Sequence, residues 1–140
     1  MDLETVSAED FGQSLTGLGV NLLSPDVVAF AGFLTDVFGL TAHRLSGDFA
    51  IIRHGDALMQ IHADATYGAH PALSLVPEMP PRGGGVQLYL FGIDPDAAIA
   101  RATALGHVVL EPAADKPHGL REATILSPEG YAFSPAIAKS

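Results

Sequence analysis

The sequence predicts an α+β fold made of two tandem βαβββ modules, and three observations carry that expectation. The apolar pattern runs strand, helix, strand, strand, strand, and then runs through the same order again. Matching punctuation recurs at nearly equal offsets: the strand positions Gly19 and Leu88 lie 69 residues apart, and the helix-stop glycines Gly39 and Gly106 lie 67 apart. Such self-similarity is the mark of an internal duplication. Finally, 140 residues with a hydrophobic fraction of 48% can bury a core without staples, and no cysteine is present to supply any.

Taken in order, residues 1–16 form a lead-in with one helical turn around Ala8 to Leu15. Residues 17–62 are the first module. Gly17 to Ser24 suits a short strand weakened by glycine. Ser24-Pro25-Asp26 supplies helix-start chemistry, since proline and aspartate both suit a helix amino terminus. Val27, Phe30, Ala31, Leu34 and Phe38 then recur at helical spacing, and Gly39 stops the helix. Three strands are expected near Thr41–Ser46, Asp48–His54 and Asp56–His62, with Gly47 and Gly55 as turns.

Residues 63–83 hold Pro71, Pro77, Pro80 and Pro81, and read as a linker or lid with little regular structure. Residues 84–135 repeat the pattern. A strand runs from Gly85 to Ile93, and Asp94-Pro95-Asp96 opens a helix over Ala97 to Leu105. Strands follow at His107–Leu110, Leu120–Leu126 and Tyr131–Ser134, and residues 136–140 form a tail.

The formal charge of -9 repels a phosphate backbone, which argues against a nucleic-acid partner. The longest apolar stretches, such as Val27 to Leu34, fall far short of the roughly 20 residues that a membrane span needs. Met1-Asp2-Leu3-Glu4 lacks the basic and apolar regions of a signal peptide, so a cytoplasmic location is expected. Without cysteine there are no thiolate metal sites or cysteine nucleophiles. Arg82-Gly83-Gly84-Gly85 precedes a strand and lacks the Gly-Lys-Ser/Thr of a phosphate loop. Gly17-Leu18-Gly19 opens no helix, and no Gly-x-Ser-x-Gly nucleophile elbow occurs.

Three segments carry a family resemblance: Asn21 to Asp26 running into Phe33 to Leu40, Asp96 to Gly106, and His118-Gly119-Leu120-Arg121-Glu122 followed by Ser127-Pro128-Glu129-Gly130-Tyr131. In order and spacing they resemble the vicinal oxygen chelate superfamily of glyoxalases, bleomycin resistance proteins and extradiol dioxygenases. The resemblance implies a curved mixed sheet around a central cavity with helices outside, and a homodimer. With strand alternation, it turns Gly19, Asn21, Leu88 and Leu90 toward the cavity, and Val20, Leu22, Tyr89 and Phe91 toward the helices. Metal-dependent members carry histidine or glutamate at four positions that fall here on Gly19, Gln60, Leu88 and Ser134. That set offers no imidazole and no carboxylate, so no metal and no other cofactor is expected. Slipping by one residue brings in Gln87, another neutral group.

Other candidates come from the residues themselves. His62 lies two positions beyond Gln60 and shares its strand face. Arg121 is a candidate clamp for a ligand carboxylate or phosphate, and Glu122 a candidate base. Being adjacent, they point to opposite faces, so only one of them enters a cavity. Tyr67, Phe49, Met59 and Met79 are candidates to line an apolar pocket; Tyr67 and Met79 suit a lid, whereas core packing is the expected role of Phe49 and Met59. The expected ligand-binding set is therefore Asn21, Gln60, His62, Leu88, Leu90, Arg121 and Ser134, with no catalytic residue assigned.

The function expected is metal-independent binding of a small molecule, with sequestration of a toxic or antibiotic ligand. The acidic chain suits a cationic one. Two alternatives stay open: a metal-free lyase, isomerase or hydrolase using His62, Gln60 or Glu122, and a metal enzyme with displaced ligands. A structural or regulatory dimer with a closed core is a further reading.

Overall fold

The computed structural model describes residues 1–140. Helix α1 (Ala8–Ser14) precedes strand β1 (Asn21–Ser24), helix α2 (Val27–Phe38), and strands β2 (Thr41–His43), β3 (Phe49–His54) and β4 (Ala57–Ala63). After two short 3₁₀ turns come β5 (Gln87–Phe91), α3 (Pro95–Ala104), β6 (Val109–Asp115), β7 (Leu120–Leu126) and β8 (Ala132–Ala138). The strands make two open four-stranded sheets, ordered β1-β4-β3-β2 and β5-β8-β7-β6. In each, the first strand pairs in parallel with the last, and the remaining pairs are antiparallel. Two tandem βαβββ modules are thus present, as the repeat predicts.

The contacts divide the chain into two units. One holds Met1–Ala31 with Leu40–Leu75, and the other holds Gly32–Gly39 with Val76–Ser140. Helix α2 contributes its first half to the former and its second half to the latter.

In the first unit, strand register puts Leu22, Ala50, Ile52 and Ile61 on one face of the sheet, all of them buried. Asn21, Gln60, His62, Phe49 and Ile51 share the opposite face. The helix-start reading of Ser24-Pro25-Asp26 holds: Ser24 Oγ accepts from the Asp26 amide at 3.0 Å, and Asp26 Oδ1 accepts from the Ala29 amide at 3.0 Å. The lead-in carries a capped helix, with Ser7 Oγ accepting from the Asp10 amide at 3.0 Å. The linker also holds regular structure, in the 3₁₀ turns Asp64–Tyr67 and Pro71–Leu75.

The core of the second unit is aromatic. Phe33 lies 5.4 Å from Phe38 and 6.1 Å from Phe133, measured between ring centroids, and Phe38 lies 5.9 Å from Phe133. The stripe expected on α2 is buried, and so are Phe33 and Val37 beside it. A helix apolar around most of its circumference is buried on more than one side. Helix α3 packs Ala98 and Ala102, both fully buried, against its own sheet. Arg101 Nε donates to the Val37 carbonyl at 2.7 Å, satisfying an acceptor near the end of α2.

Two strands run further than the sequence reading allowed, both through a proline. Strand β6 continues past Pro112 to Asp115 because it is a sheet edge, where a missing N–H is tolerated and bulges absorb the irregularity. Strand β8 continues past Pro135 to Ala138, into residues expected to be tail, although it is an inner strand. Its ladder to β7 is interrupted between Glu122↔Ala136 and Ile125↔Phe133, where the proline lacks its donor. A side-chain bond bridges the gap, with Thr124 Oγ1 and Ser134 Oγ 2.8 Å apart.

Phe133 is fully buried against two other phenylalanines, so truncating it leaves a cavity. Urea unfolding of Phe133→Ala is expected to show a loss of about 3–5 kcal/mol. The exposed Val28→Ala on the same helix as Phe33 should stay within about 0.5 kcal/mol of the parent.

Candidate functional site

The parallel register Asn21↔Gln60 and Leu23↔His62 sets Asn21 beside the two polar residues expected on β4. His62 Nδ1 lies 2.6 Å from Asn21 Oδ1, and Asn21 Nδ2 donates to the Tyr67 hydroxyl at 2.7 Å. An amide oxygen only accepts, so His62 carries its proton on Nδ1 and donates it to Asn21. The remaining ring nitrogen, Nε2, then bears a lone pair. Burial holds the His62 pKa below its ordinary value of 6.5, which keeps the ring neutral at physiological pH. Phe49 lies 4.8 Å from the imidazole and Tyr67 5.2 Å, and His70 packs 4.8 Å beyond Tyr67.

His62 and Gln60 line a cavity of about 440 Å³ together with Phe49, Ile51 and Arg44. Its roof is α1, which contributes Ala8, Phe11, Gly12 and Leu15. The expected lead-in therefore closes the site. A second space of about 420 Å³, lined by residues 14–20 and by Asp56, Ala57, Leu58 and Gln60, lies at the α1–β1 connection.

Arg44 pins the roof segment in place. Its Nε donates to the Leu3 carbonyl at 2.7 Å and its Nη2 to the Val6 carbonyl. Its backbone amide meets both Glu4 carboxylate oxygens at 3.2 Å, and His43 Nδ1 lies 3.1 Å from Glu4 Oε1. Arg44 makes these contacts at φ +52, a left-handed conformation that a side chain adopts only when its surroundings enforce it.

The other expected residues lie in the second unit. Ser134 Oγ accepts from Gln87 Nε2 at 2.8 Å and bonds Thr124, so Gln87, Thr124 and Ser134 share one sheet face. Leu88 pairs with Phe133 and Leu90 with Pro135, on the opposite, apolar face. The expected inward direction of Leu88 and Leu90 is thus reversed, and Tyr89 takes the Ser134 side. The register slipped by one residue, which brings in Gln87, is the one observed.

Arg121 and Glu122 do point to opposite faces. Arg121 is committed to α3, with Nε and Nη2 at 2.7 and 2.9 Å from the Asp96 carboxylate and Nη1 at 3.3 Å from Asp115. The hydrogen bonds from Arg121 hold the Asp96 carboxyl below the usual carboxylate range. This places the guanidinium in an ion-pair network with its fork already occupied. Glu122 is the buried member of the pair, with Oε1 at 3.1 Å from His118 Nε2. Hydrogen bonding to Glu122 pushes the neighbouring Tyr89 phenol above its ordinary value, and burial adds to this.

The positions of the family's metal ligands do not fit a divalent ion. Gly19 has no side chain, Leu88 lies on the wrong face, Gln60 is neutral, and the Ser134 hydroxyl is held by Gln87 and Thr124. No three histidine or carboxylate side chains gather at one point.

Several participants escaped the sequence reading. Phe49 lines the cavity rather than being simply core, Met79 is three-quarters exposed, and Tyr67 contacts the His62 ring without lining the cavity. The helix near Ala8 to Leu15 was legible, but its role as a roof and the Arg44 clamp gave no local signal, since the clamp joins residues about 40 apart.

Two outcomes are expected. A half-buried neutral imidazole of lowered pKa binds fewer protons folded than unfolded, so its share of stability is complete above pH 6.5 and lost as pH falls below it. An NMR titration should give His62 a midpoint below 6.5, and His62→Phe should flatten the stability profile in that acid window; an ordinary midpoint would contradict the burial. Removing the clamp with Arg44→Ala should speed hydrogen exchange of amides in residues 3–14 by about tenfold, while β3 and β4 amides keep their protection.

No family model and no curated protein matches the sequence. Solved structures do match the fold. A glyoxalase/bleomycin resistance protein/dioxygenase family enzyme from Burkholderia phytofirmans is 21% identical, with a TM-score of 0.70, over 86% of this chain and 97% of its own. A glyoxalase-related enzyme from Fulvimarina pelagi is 18% identical, with a TM-score of 0.69, over 87% of each chain. A glyoxalase/bleomycin resistance protein/dioxygenase from Nocardioides is 19% identical, with a TM-score of 0.64, over 93% of this chain and 90% of its own. The two βαβββ modules and these likenesses give the chain the fold of the vicinal oxygen chelate superfamily.

Proposed function

We propose that this protein binds a small molecule without a metal ion, in the cavity between α1 and the first sheet, and sequesters it. The observation that carries the reading is the cavity itself. At about 440 Å³ it falls within the range of small-molecule sites, and it combines apolar walls with a few polar groups. The neutral residues at the family's ligand positions support metal independence. A toxic or antibiotic compound suits a protein that acts by stoichiometric binding, because no nucleophile is then required. The cationic ligand that the net charge favours does not suit this cavity, which is lined by Arg44 and by no carboxylate. A cytoplasmic location is part of the proposal, and a homodimeric assembly joins it by fold analogy alone. No helix is long and apolar enough to cross a membrane.

A second reading draws on one specific observation, the neutral His62 with its Nε2 lone pair. Such a group can serve as a general base in a metal-free lyase, isomerase or hydrolase.

Gly12 supplies a test of the binding reading, because a Cβ built there meets nothing within 4 Å and the residue lines the cavity roof. The parent protein should bind 2-methoxynaphthalene saturably, read by its fluorescence, and Gly12→Trp should weaken that binding at least about tenfold by filling the space. Absence of saturable binding by the parent, or equal binding by both proteins, would refute the cavity as the ligand site.

A further inference from the structure

We propose that His62 Nε2 is the fixed hydrogen-bond acceptor of the cavity, so that its ligand is a neutral, planar aromatic molecule presenting an O–H or N–H donor. The inference rests on the cavity reading above and names the class of ligand.

The argument begins with the tautomer. A neutral imidazole in water places its proton on either nitrogen, and a site that needs one form must pay to select it. Here the selection is built in. Asn21 Oδ1 takes the Nδ1 proton at 2.6 Å, and the Asn21 amide is itself anchored by Tyr67, whose hydroxyl accepts its Nδ2–H at 2.7 Å. If the amide were reversed, Nδ2 would face a ring nitrogen and Oδ1 the phenol, and the ring would change tautomer. Tyr67 and Asn21 are therefore positioning residues, and Nε2 is the ring nitrogen left for a ligand.

The surroundings restrict what that ligand is. Phe49 lines the cavity 4.8 Å from the imidazole and Phe11 lines its roof, so the walls beside Nε2 include aromatic rings that favour a flat partner. The titratable groups facing His62 are Tyr67, His70 beyond it, and Arg44 across the cavity. No carboxylate lines the space to pair with a cationic ligand. The Arg44 fork is already engaged by the Leu3 and Val6 carbonyls, so it is not a free anion clamp. A neutral molecule with one donor meets the polarity that remains.

Two probes of nearly equal shape separate the possibilities. 2-Naphthol carries a donor, and 2-methoxynaphthalene lacks it. The parent protein should bind 2-naphthol about tenfold more tightly, the worth of one hydrogen bond in a partly buried site. His62→Phe keeps a ring and removes the acceptor, and should bind both probes alike. Tyr67→Phe leaves His62 in place but frees the Asn21 amide, and should narrow the preference without abolishing binding.

Nitrogen-15 NMR of the parent reads the tautomer without any variant: Nδ1 should show a protonated shift and Nε2 that of an acceptor. If both probes bind equally to the parent, or the preference survives His62→Phe, or Nε2 carries the proton, the acceptor assignment is overturned while the cavity reading stands. If neither probe binds, both are overturned.

Discussion

The parallel pairing of β1 with β4 carries the candidate site, and it is a ladder of only four residue pairs. Side chains alternate between faces along a strand, so a slip of one residue would turn Asn21 to the apolar side and leave His62 without its partner. The geometry of the imidazole, its tautomer and its neutral state all depend on that register. The Gln60 backbone N–H donates to the Val20 carbonyl at 2.9 Å, extending the same pairing just beyond the end of β1. The apolar anchors of the register lie on the reverse face, where Leu22 and Ile61 are buried side by side. Packing on one face of the sheet thus specifies chemistry on the other.

The two arginines singled out by the structure illustrate how charge is used. Arg121 had the composition of an anion clamp, yet its fork is filled by Asp96 and Asp115. Arg44 lines the cavity, but its donors hold backbone carbonyls of the roof segment. Both therefore serve architecture, and the cavity keeps neutral hydrogen-bonding groups. The net charge of -9 describes the solvated surface and says little about a space whose lining contains no acid.

Legibility followed sequence distance. The helix ends were readable because caps are local: Ser24, Asp26 and Asp94 each accept an amide within three residues. The relation of Gln60 to His62 was readable because alternation is local as well. Parity on β5 was not, since nothing within Gln87–Phe91 distinguishes its faces until Phe133 and Ser134 on β8 are paired with it. Prolines misled the strand ends for a related reason, because whether a missing N–H matters depends on the neighbouring strand.

From the amino-acid order alone came the duplicated βαβββ pattern, the buried stripe of α2 and the adjacency of polar groups on β4. Each of these is a matter of residue type and short spacing. Tertiary structure decided which residues meet across the sheet and over it: Asn21 with His62, Tyr67 with Asn21, Arg44 with residues 3 and 6, and α1 as a roof. Those contacts join segments 38 to 46 residues apart, or form only once a helix covers a face. Local propensity has no record of them, because the free energy that selects them is released only when the whole unit packs.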